Sequence, residues 1–249
     1  MDFTLIGVPY DKSQTLRTGA AKAPTILRKV FPKLETFIFG VDLTEKAFIK
    51  DLGNTYGRNA AETEAEVREL LLESKKNAFP IFLGGDHSIT AACAAAVKPD
   101  KIVVFDAHAD CEDSEGHDGV VRRLAGRFGK ENVFLFGTRV ASKEEDKYLK
   151  ESKVKIAGLN DLKNLKGKVY LSIDFDIIDP SVIPSVGNPE PMGKSFAEVS
   201  EAIGLLADKL VAIDFVEFTP IKTDEMGIHA LIAGKLIYDA MARVIKSKE

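Results

Sequence analysis

The chain has 249 residues, 45% of them hydrophobic, enough to build one sizeable α/β domain over residues 1–249 with no linker to divide it. A net charge of −4 and a pI near 5.7 leave no bulk attraction to nucleic acid or to an anionic membrane. The two cysteines, Cys93 and Cys111, make neither a disulfide framework nor a thiolate zinc pattern, and fit a reducing cytoplasm. The N-terminal MDFTLIGVPYDK lacks the basic flank and long apolar core of a signal peptide, and no apolar stretch approaches the roughly 20 residues of a membrane span.

Short β-rich runs recur along the chain: FTLIGV near residue 3, ETFIFGV near 35, PIFLGG at 80, KIVVFDA at 101, NVFLFGT at 132, VKIAG at 154, KVYLSID at 168 and LVAIDFVEF at 210. Helical stretches lie between most of them. Residues 60–76 repeat apolar Val67, Leu70 and Leu71 at helical spacing, with charges opposite. Ser195 and Glu198 have capping-box spacing and open a helix to about Leu206, and a last helix runs from about Gly227 to Ile245. Strands alternating with helices predict a mainly parallel sheet covered on both faces. The longest predicted loops, 10–24, 110–122 and 177–194, all follow strands and rim one edge of that sheet, where substrate contacts are expected.

Three segments concentrate chemistry at that edge: His87 in GGDHSIT, Asp106, His108 and Asp110 in VVFDAHAD, and Asp174 and Asp176 in YLSIDFDIIDP. Each is an apolar run that stops at a cluster of Asp or His, and ligands bind beyond the carboxyl ends of strands in open α/β sheets. In extended chain, residues two apart point to the same side, so Asp106, His108 and Asp110 face one point, as do Asp174 and Asp176. An isolated Asp at a strand end is ordinarily a cap or turn former and an isolated His an ordinary surface or core residue; three such segments together are not. Four converging carboxylates repel one another, and two divalent cations neutralise them. Oxygen-rich donors with two imidazoles and no thiolate favour Mn²⁺ over Mg²⁺, Co²⁺ or Zn²⁺. Two such ions about 3.5–4 Å apart lower the pKa of a shared water.

The blocks GGDHS, DAHAD and S-x-D-x-D-x-x-D-P, in this order, resemble the three signature blocks of the ureohydrolases, the family of arginase, agmatinase, guanidinobutyrase, proclavaminate amidinohydrolase and formimidoylglutamase. GVPYD…RTGAAKAPTILR (7–28), FGTR (136–139) and VEFTP (216–220) resemble further family segments, so the likeness spans most of the chain. It implies a three-layer α/β/α fold with an eight-stranded, mostly parallel sheet, a binuclear manganese centre, and a homotrimer or homohexamer. It also implies that His87, Asp106, His108, Asp110, Asp174 and Asp176 hold the metals, with Asp110 and Asp174 as bridges. Asp86 and Asp179 are then expected in capping or supporting roles. By the same resemblance Glu217 meets the substrate guanidinium, whose paired N–H groups suit a carboxylate. Asp110 would also hold a proton of the nucleophile, and His117 would protonate the departing amine. Around His117 the chain reads HDGVVRR (117–123), where Asp118, Val120 and Val121 depart from the family's H-G-x-P-F-R. In PSVGNPEPMGKSF (184–196), Val186 and Met192 stand where small residues are usual, which predicts a different loop shape at the pocket mouth.

The resemblance implies cleavage of a guanidinium C–N bond to give urea and an amine. Arginase-like members carry an asparagine two residues beyond the D-x-H-x-D block, where this chain has Glu112. Glu112, Asp113, Glu115 and Asp118 together predict an acidic rim that repels an α-carboxylate and attracts a distal ammonium. That favours agmatine over arginine, with arginase, guanidinobutyrase or formimidoylglutamase activity as alternatives. Arg122, Arg123 and Arg127 are near enough in sequence to offer an anion site instead. Outside the enzyme class stands a non-catalytic metal-binding homologue, to which the complete ligand set is opposed; a one-metal deacetylase-like site would not need all six residues.

Overall fold

In the computed structural model, which describes residues 1–224 and 227–249, all but one of the β-rich runs line up in one parallel sheet. Its strands are β1 (Asp2–Val8), β2 (Phe48–Asn54), β3 (Phe79–Gly84), β4 (Lys101–Phe105), β5 (Val133–Phe136), β6 (Lys155–Ile156), β7 (Val169–Asp174) and β8 (Leu210–Val216). They lie in the order β2-β1-β3-β8-β7-β4-β5-β6, and every pairing is parallel. Side chains alternate between two separate cores, as the period-2 geometry of strands requires. On β7, Val169, Leu171 and Ile173 enter one core while Tyr170 enters the other.

Helices cover both faces. The longer ones are α1 (Ala23–Val30), α2 (Ala60–Glu73), α3 (Thr90–Val97), α4 (Val120–Phe128), α5 (Lys143–Glu151), α6 (Leu159–Asn164), α7 (Phe196–Leu206) and α8 (Ile228–Lys246). Leu27 of α1, Ile203 of α7 and Leu236 of α8 fill one core; Val67 of α2, Cys93 of α3 and Leu124 of α4 fill the other. The result is the expected three-layer α/β/α arrangement around an eight-stranded sheet. Two helix starts follow from local chemistry. The Asn59 side chain accepts the Glu62 N–H to open α2, and Ser195 with Glu198 forms the predicted capping box of α7.

One strand differs from expectation. ETFIFGV near residue 35 does not join the main sheet; Phe37–Ile38 pairs with Val41–Asp42 in a small antiparallel hairpin. The eighth position belongs to β2, FIKDLGN, which the apolar runs do not reveal. It is an edge strand whose residues are all exposed or half-buried, so burial imposes no hydrophobic pattern on it. The loop predicted over 110–122 is also shorter: a single 3-10 turn at His117–Gly119 leads straight into α4.

The order of strands explains why segments far apart in sequence meet. β3, β8, β7 and β4 are consecutive neighbours in the sheet. His87 follows β3, Glu217 follows β8, Asp174 ends β7 with Asp176 in the turn just beyond it, and DAHAD follows β4, so all four groups arrive at one carboxyl edge. Gly85 is required there by space: a Cβ would overlap the Tyr10 carbonyl, which accepts the Asp86 N–H at 2.7 Å.

Candidate functional site

His87 is fully buried, and its Nδ1 faces three carboxylates: Asp106 Oδ2 at 3.0 Å, Asp110 Oδ2 at 3.3 Å and Asp174 Oδ2 at 3.4 Å. His108 Nδ1 lies 2.7 Å from Asp176 Oδ2 and 3.6 Å from Asp106 Oδ1. The six predicted residues therefore form two adjoining groups of potential ligand atoms, His87–Asp106–Asp110 and Asp106–His108–Asp176, with Asp174 beside the first. Asp106 belongs to both groups, one oxygen to each; Asp110 touches only the His87 side. Asp106 would therefore be placed to meet both ions, while Asp110, in a left-handed backbone conformation at φ 46°, would serve the His87 group.

The fit to cations can be judged from the atoms themselves. His87 Nδ1 and Asp106 Oδ2 are buried without any hydrogen-bond partner, although buried polar atoms are almost always paired. A positive ion between them accounts for both, and the donor set is hard and rich in oxygen, as Mn²⁺ or Mg²⁺ requires. Backbone bonds hold these carboxylates in place. Asp106 Oδ1 accepts the His108 N–H at 2.6 Å, Asp176 Oδ1 the Ala107 N–H at 3.0 Å, and Asp174 Oδ1 the Asp176 N–H at 2.7 Å.

Protons take over the charge balance in the metal-free state. Burial and the neighbouring Asp106 charge lift Asp110 from an ordinary 3.8 to about 7. Burial likewise raises Asp174, with the charges of Asp176 and Asp106 adding to it. Burial opposes the His108 charge, but Asp106 and Asp176 push it from 6.5 up to about 12. Burial raises Glu217 from 4.5 to about 8, against a hydrogen bond from Gln14. Between about pH 4 and pH 8 the metal-free native state thus holds acid protons that the unfolded chain has lost, so its stability falls as pH rises through that window. The His108 contribution has the same sign, full below 6.5 and lost as pH rises toward 12. Thermal melts of chelator-treated protein are expected to drop in midpoint from pH 5 to pH 8. The gain on adding Mn²⁺ should widen over the same range, because metal replaces protons. A gain independent of pH would contradict these carboxylates as ligands.

Glu217 is buried in a left-handed backbone conformation, φ 65°. Its N–H donates to the Gly85 carbonyl at 2.8 Å, and its Oε1 accepts the His87 N–H at 2.7 Å. Gln14 Nε2 donates to Oε2. Glu217 lines a cavity of ≈ 140 Å³ whose wall also includes His108, Asp110, Asp174, Asp176, His117, Glu112 and Asp118. His117 also lines this cavity; its Nε2 is 3.2 Å from Thr15 Oγ1 and its Nδ1 is buried without a partner.

The acidic rim is half of what its sequence suggests. Glu112 and Asp118 line the cavity, whereas Asp113 points into solvent and Glu115 lines a neighbouring pocket with Arg123. None of the three arginines lines this cavity. Arg122 donates to the Cys111 carbonyl and lies over Tyr148, Arg123 donates to the Ser114 carbonyl, and Arg127 pairs with Glu64. Asp86 and Asp179 cap turns, as expected. Asp86 accepts from the backbone N–H groups of Lys12, Ser13 and Ser88, pinning the loop after β1 beside His87. Asp179 accepts from Ser181 and the Gly193 N–H, bonds that lower its carboxyl to about 2. Met192 adopts φ 61°, a left-handed conformation that a glycine would take more easily.

Four residues of the site carry no sequence signal of their own. Gln14 and Thr15 reach Glu217 and His117 from the loop after β1, and Glu145 joins the cavity wall from α5. Asn188 Nδ2 lies 3.0 Å from His108 Nε2. The loops holding Gln14, Thr15 and Asn188 are marked by position after strands, but nothing in their composition singles out these members.

The arginase family model matches residues 1–242. The chain belongs to the arginase family. An N(1)-aminopropylagmatine ureohydrolase of Thermococcus kodakarensis is 35% identical over 98% of this chain and 91% of its own length. An agmatinase of Pyrococcus horikoshii is 32% identical over 95% of this chain and 90% of its own. The crystal structure of the agmatine ureohydrolase of Thermoplasma volcanium superposes with a TM-score of 0.83 at 30% identity, covering 97% of this chain and 89% of that one. The fold read from the sheet order is therefore the arginase fold, and the chain is a ureohydrolase-type hydrolase acting on guanidino compounds. No helix among the described residues is long and apolar enough to cross a membrane.

Proposed function

We propose that this protein hydrolyses agmatine to urea and putrescine, with two Mn²⁺ ions held by His87, Asp106, His108, Asp110, Asp174 and Asp176. The observation that carries the substrate choice is the cavity wall. Beyond the ligand groups it presents Glu112, Asp118, Glu145 and Glu217 and, among the described residues, no lysine or arginine. Such a pocket suits a molecule that is cationic at both ends and sets no Lys or Arg charge against an α-carboxylate.

When bound, the two ions would supply an activated water at neutral pH and charge stabilisation for the tetrahedral carbon. The chain's own residues do the rest. Glu217, fixed at one oxygen by the His87 N–H, directs its other oxygen at the guanidinium N–H groups in place of Gln14. Asp110 accepts the proton released by the attacking water, and His117 delivers a proton to the departing amine of putrescine. Asp118 and Glu112 hold the distal ammonium, although Glu112 also accepts the Ser142 hydroxyl at 2.5 Å. The balance is one water consumed and one C–N bond broken, with urea and a primary amine released.

Purified protein loaded with Mn²⁺ should release urea from agmatine at a higher kcat/KM than from arginine. Equal or better use of arginine would overturn the acidic-wall argument, and no urea from any guanidino compound would overturn the enzymatic reading. Two rim carboxylates also favour a second substrate, agmatine extended by an aminopropyl group, which carries a further ammonium and is the substrate named for the Thermococcus kodakarensis relative. We place the reaction in polyamine metabolism in the cytoplasm, where the buried free thiols of Cys93 and Cys111 fit reducing conditions, and assign a homotrimer or homohexamer, which sedimentation would test.

A further inference from the structure

The Glu217 oxygen that a guanidinium would meet already has a donor from the chain itself. Oε1 accepts the His87 N–H at 2.7 Å, and Oε2 accepts from Gln14 Nε2. A Cβ at Gly187 would stand 2.3 Å from Gln14 Oε1 and 3.1 Å from Glu217 Oε2, so amide and carboxylate share a gap that the glycine keeps open. Gln14 and Glu217 line one cavity with Asp110, Asp174 and His117. A primary amide is planar and presents paired N–H donors, as one edge of a guanidinium does, without the charge.

The backbone on both sides of Gln14 is tied down. The Lys12 and Ser13 N–H groups donate to Asp86 Oδ2 at 3.0 and 3.1 Å, Ser13 Oγ accepts the His117 N–H at 2.9 Å, and Arg17 Nη2 donates to the Pro184 carbonyl at 3.1 Å. The Gln14 side chain is half-buried, and among the described residues its bond to Glu217 is the one side-chain hydrogen bond it makes. Uncovering Oε2 therefore needs only a turn of the Gln14 side chain from one staggered rotamer to another, with the loop left in place.

We propose that Gln14 is a built-in competitor for the guanidinium seat: its amide covers Glu217 Oε2 in the free protein, swings out when a cation with planar N–H groups enters, and so sets the affinity of the site for every occupant of that seat. The inference rests on the proposed role of Glu217. The substrate wins the exchange because a hydrogen bond between two ions outweighs one from a neutral amide. The cost is shared by all ligands of the seat. Each binds only the fraction of molecules in which Gln14 has swung away, so each apparent affinity is lowered by the same factor. Urea, the neutral product, has no charge with which to hold Oε2, and the returning amide helps to clear it.

The test compares the Mn²⁺-loaded full chain with Gln14→Met, which keeps the length and loses the donors, and with Gln14→Asn, whose amide is one methylene too short. Two quantities are read: KM and kcat for agmatine, and the inhibition constant of acetamidine, an amidinium with the same planar N–H edge that cannot yield urea. Both variants should lower KM and the acetamidine constant by one common factor of about 3–10, the net worth of a single hydrogen bond, with kcat nearly unchanged. A merely structural role for Gln14 would weaken binding instead. In a Glu217→Gln background, where the acceptor is gone, Gln14→Met should no longer tighten either ligand. A higher KM in Gln14→Met would make the amide a substrate contact and overturn the inference. Unchanged constants, a fall in only one of the two, or a fall that persists beside Glu217→Gln would overturn it as well. A parent that releases no urea from agmatine defeats the proposed function; calorimetric binding of acetamidine then decides the inference by itself, tighter binding by Gln14→Met supporting it and equal or weaker binding overturning it.

Discussion

Asp106→Ala is expected to bind neither ion firmly and to lose urea release by roughly 10³-fold or more, the several kcal/mol that metal charge stabilisation supplies at about 1.4 kcal/mol per decade. The reason is geometric. Asp106 is the one residue whose two oxygens face different imidazoles, with Oδ2 3.0 Å from His87 Nδ1 and Oδ1 3.6 Å from His108 Nδ1. Without it His87 keeps Asp110 and Asp174, and His108 keeps Asp176, but nothing joins the halves. Asp110→Ala should behave differently, emptying the His87 side while the His108 side still takes metal. Metal analysis after dialysis separates the two cases: two ions retained by Asp106→Ala would refute the shared role, and two retained by Asp110→Ala would refute that residue as a ligand. Asp110→Ala should leave folding intact, since it removes a carboxylate whose charge burial and Asp106 oppose; Asp106→Ala should cost the metal-free protein some stability, because against its burial His108 and His87 hold that carboxyl below the usual range.

Glu217→Gln is the second large effect: kcat/KM for the guanidino substrate should fall about 10–100-fold, the worth of a charge-assisted hydrogen bond of about 1.5–3 kcal/mol, while metal content stays near that of the parent. The substitution keeps size and one carbonyl oxygen. That oxygen still serves the His87 N–H, the bond that ties the end of β8 to the turn after β3. The new amide group then faces Gln14, donor against donor, and would also face the guanidinium N–H groups with donors of its own. Activity assays beside metal analysis decide the matter. Loss of metal in Glu217→Gln would mean that the residue supports the ligands rather than the substrate; unchanged kcat/KM would remove it from the substrate pocket.

Much of this site is legible before folding, because the ligand residues stand at the ends of apolar runs and repeat at a spacing of two. His87, Asp106, His108, Asp110, Asp174 and Asp176 carry that pattern openly, and all six arrive at one place. Glu217 is legible only through the VEFTP block, and its left-handed backbone has no trace in composition. Gln14 and Asn188 are invisible for another reason: each matters through a contact with a residue distant in the chain, 203 positions away for Gln14 and Glu217. The edge strand β2 escapes notice because it buries little, and burial is what writes hydrophobic periodicity into a sequence.

The sequence by itself determined the alternation of strands and helices, the two cores that alternation implies, and the inventory of charged groups that need a cation. Those are local consequences of period, capping and charge. The tertiary structure decided the rest. Placing β3, β8, β7 and β4 side by side made Asp106 rather than Asp110 the shared residue, turned Asp113 and Glu115 away from the pocket, and occupied Arg122, Arg123 and Arg127 with partners elsewhere. Which oxygen faces which imidazole depends on strand order and side-chain direction across the sheet, and neither is a property of neighbouring residues in the chain.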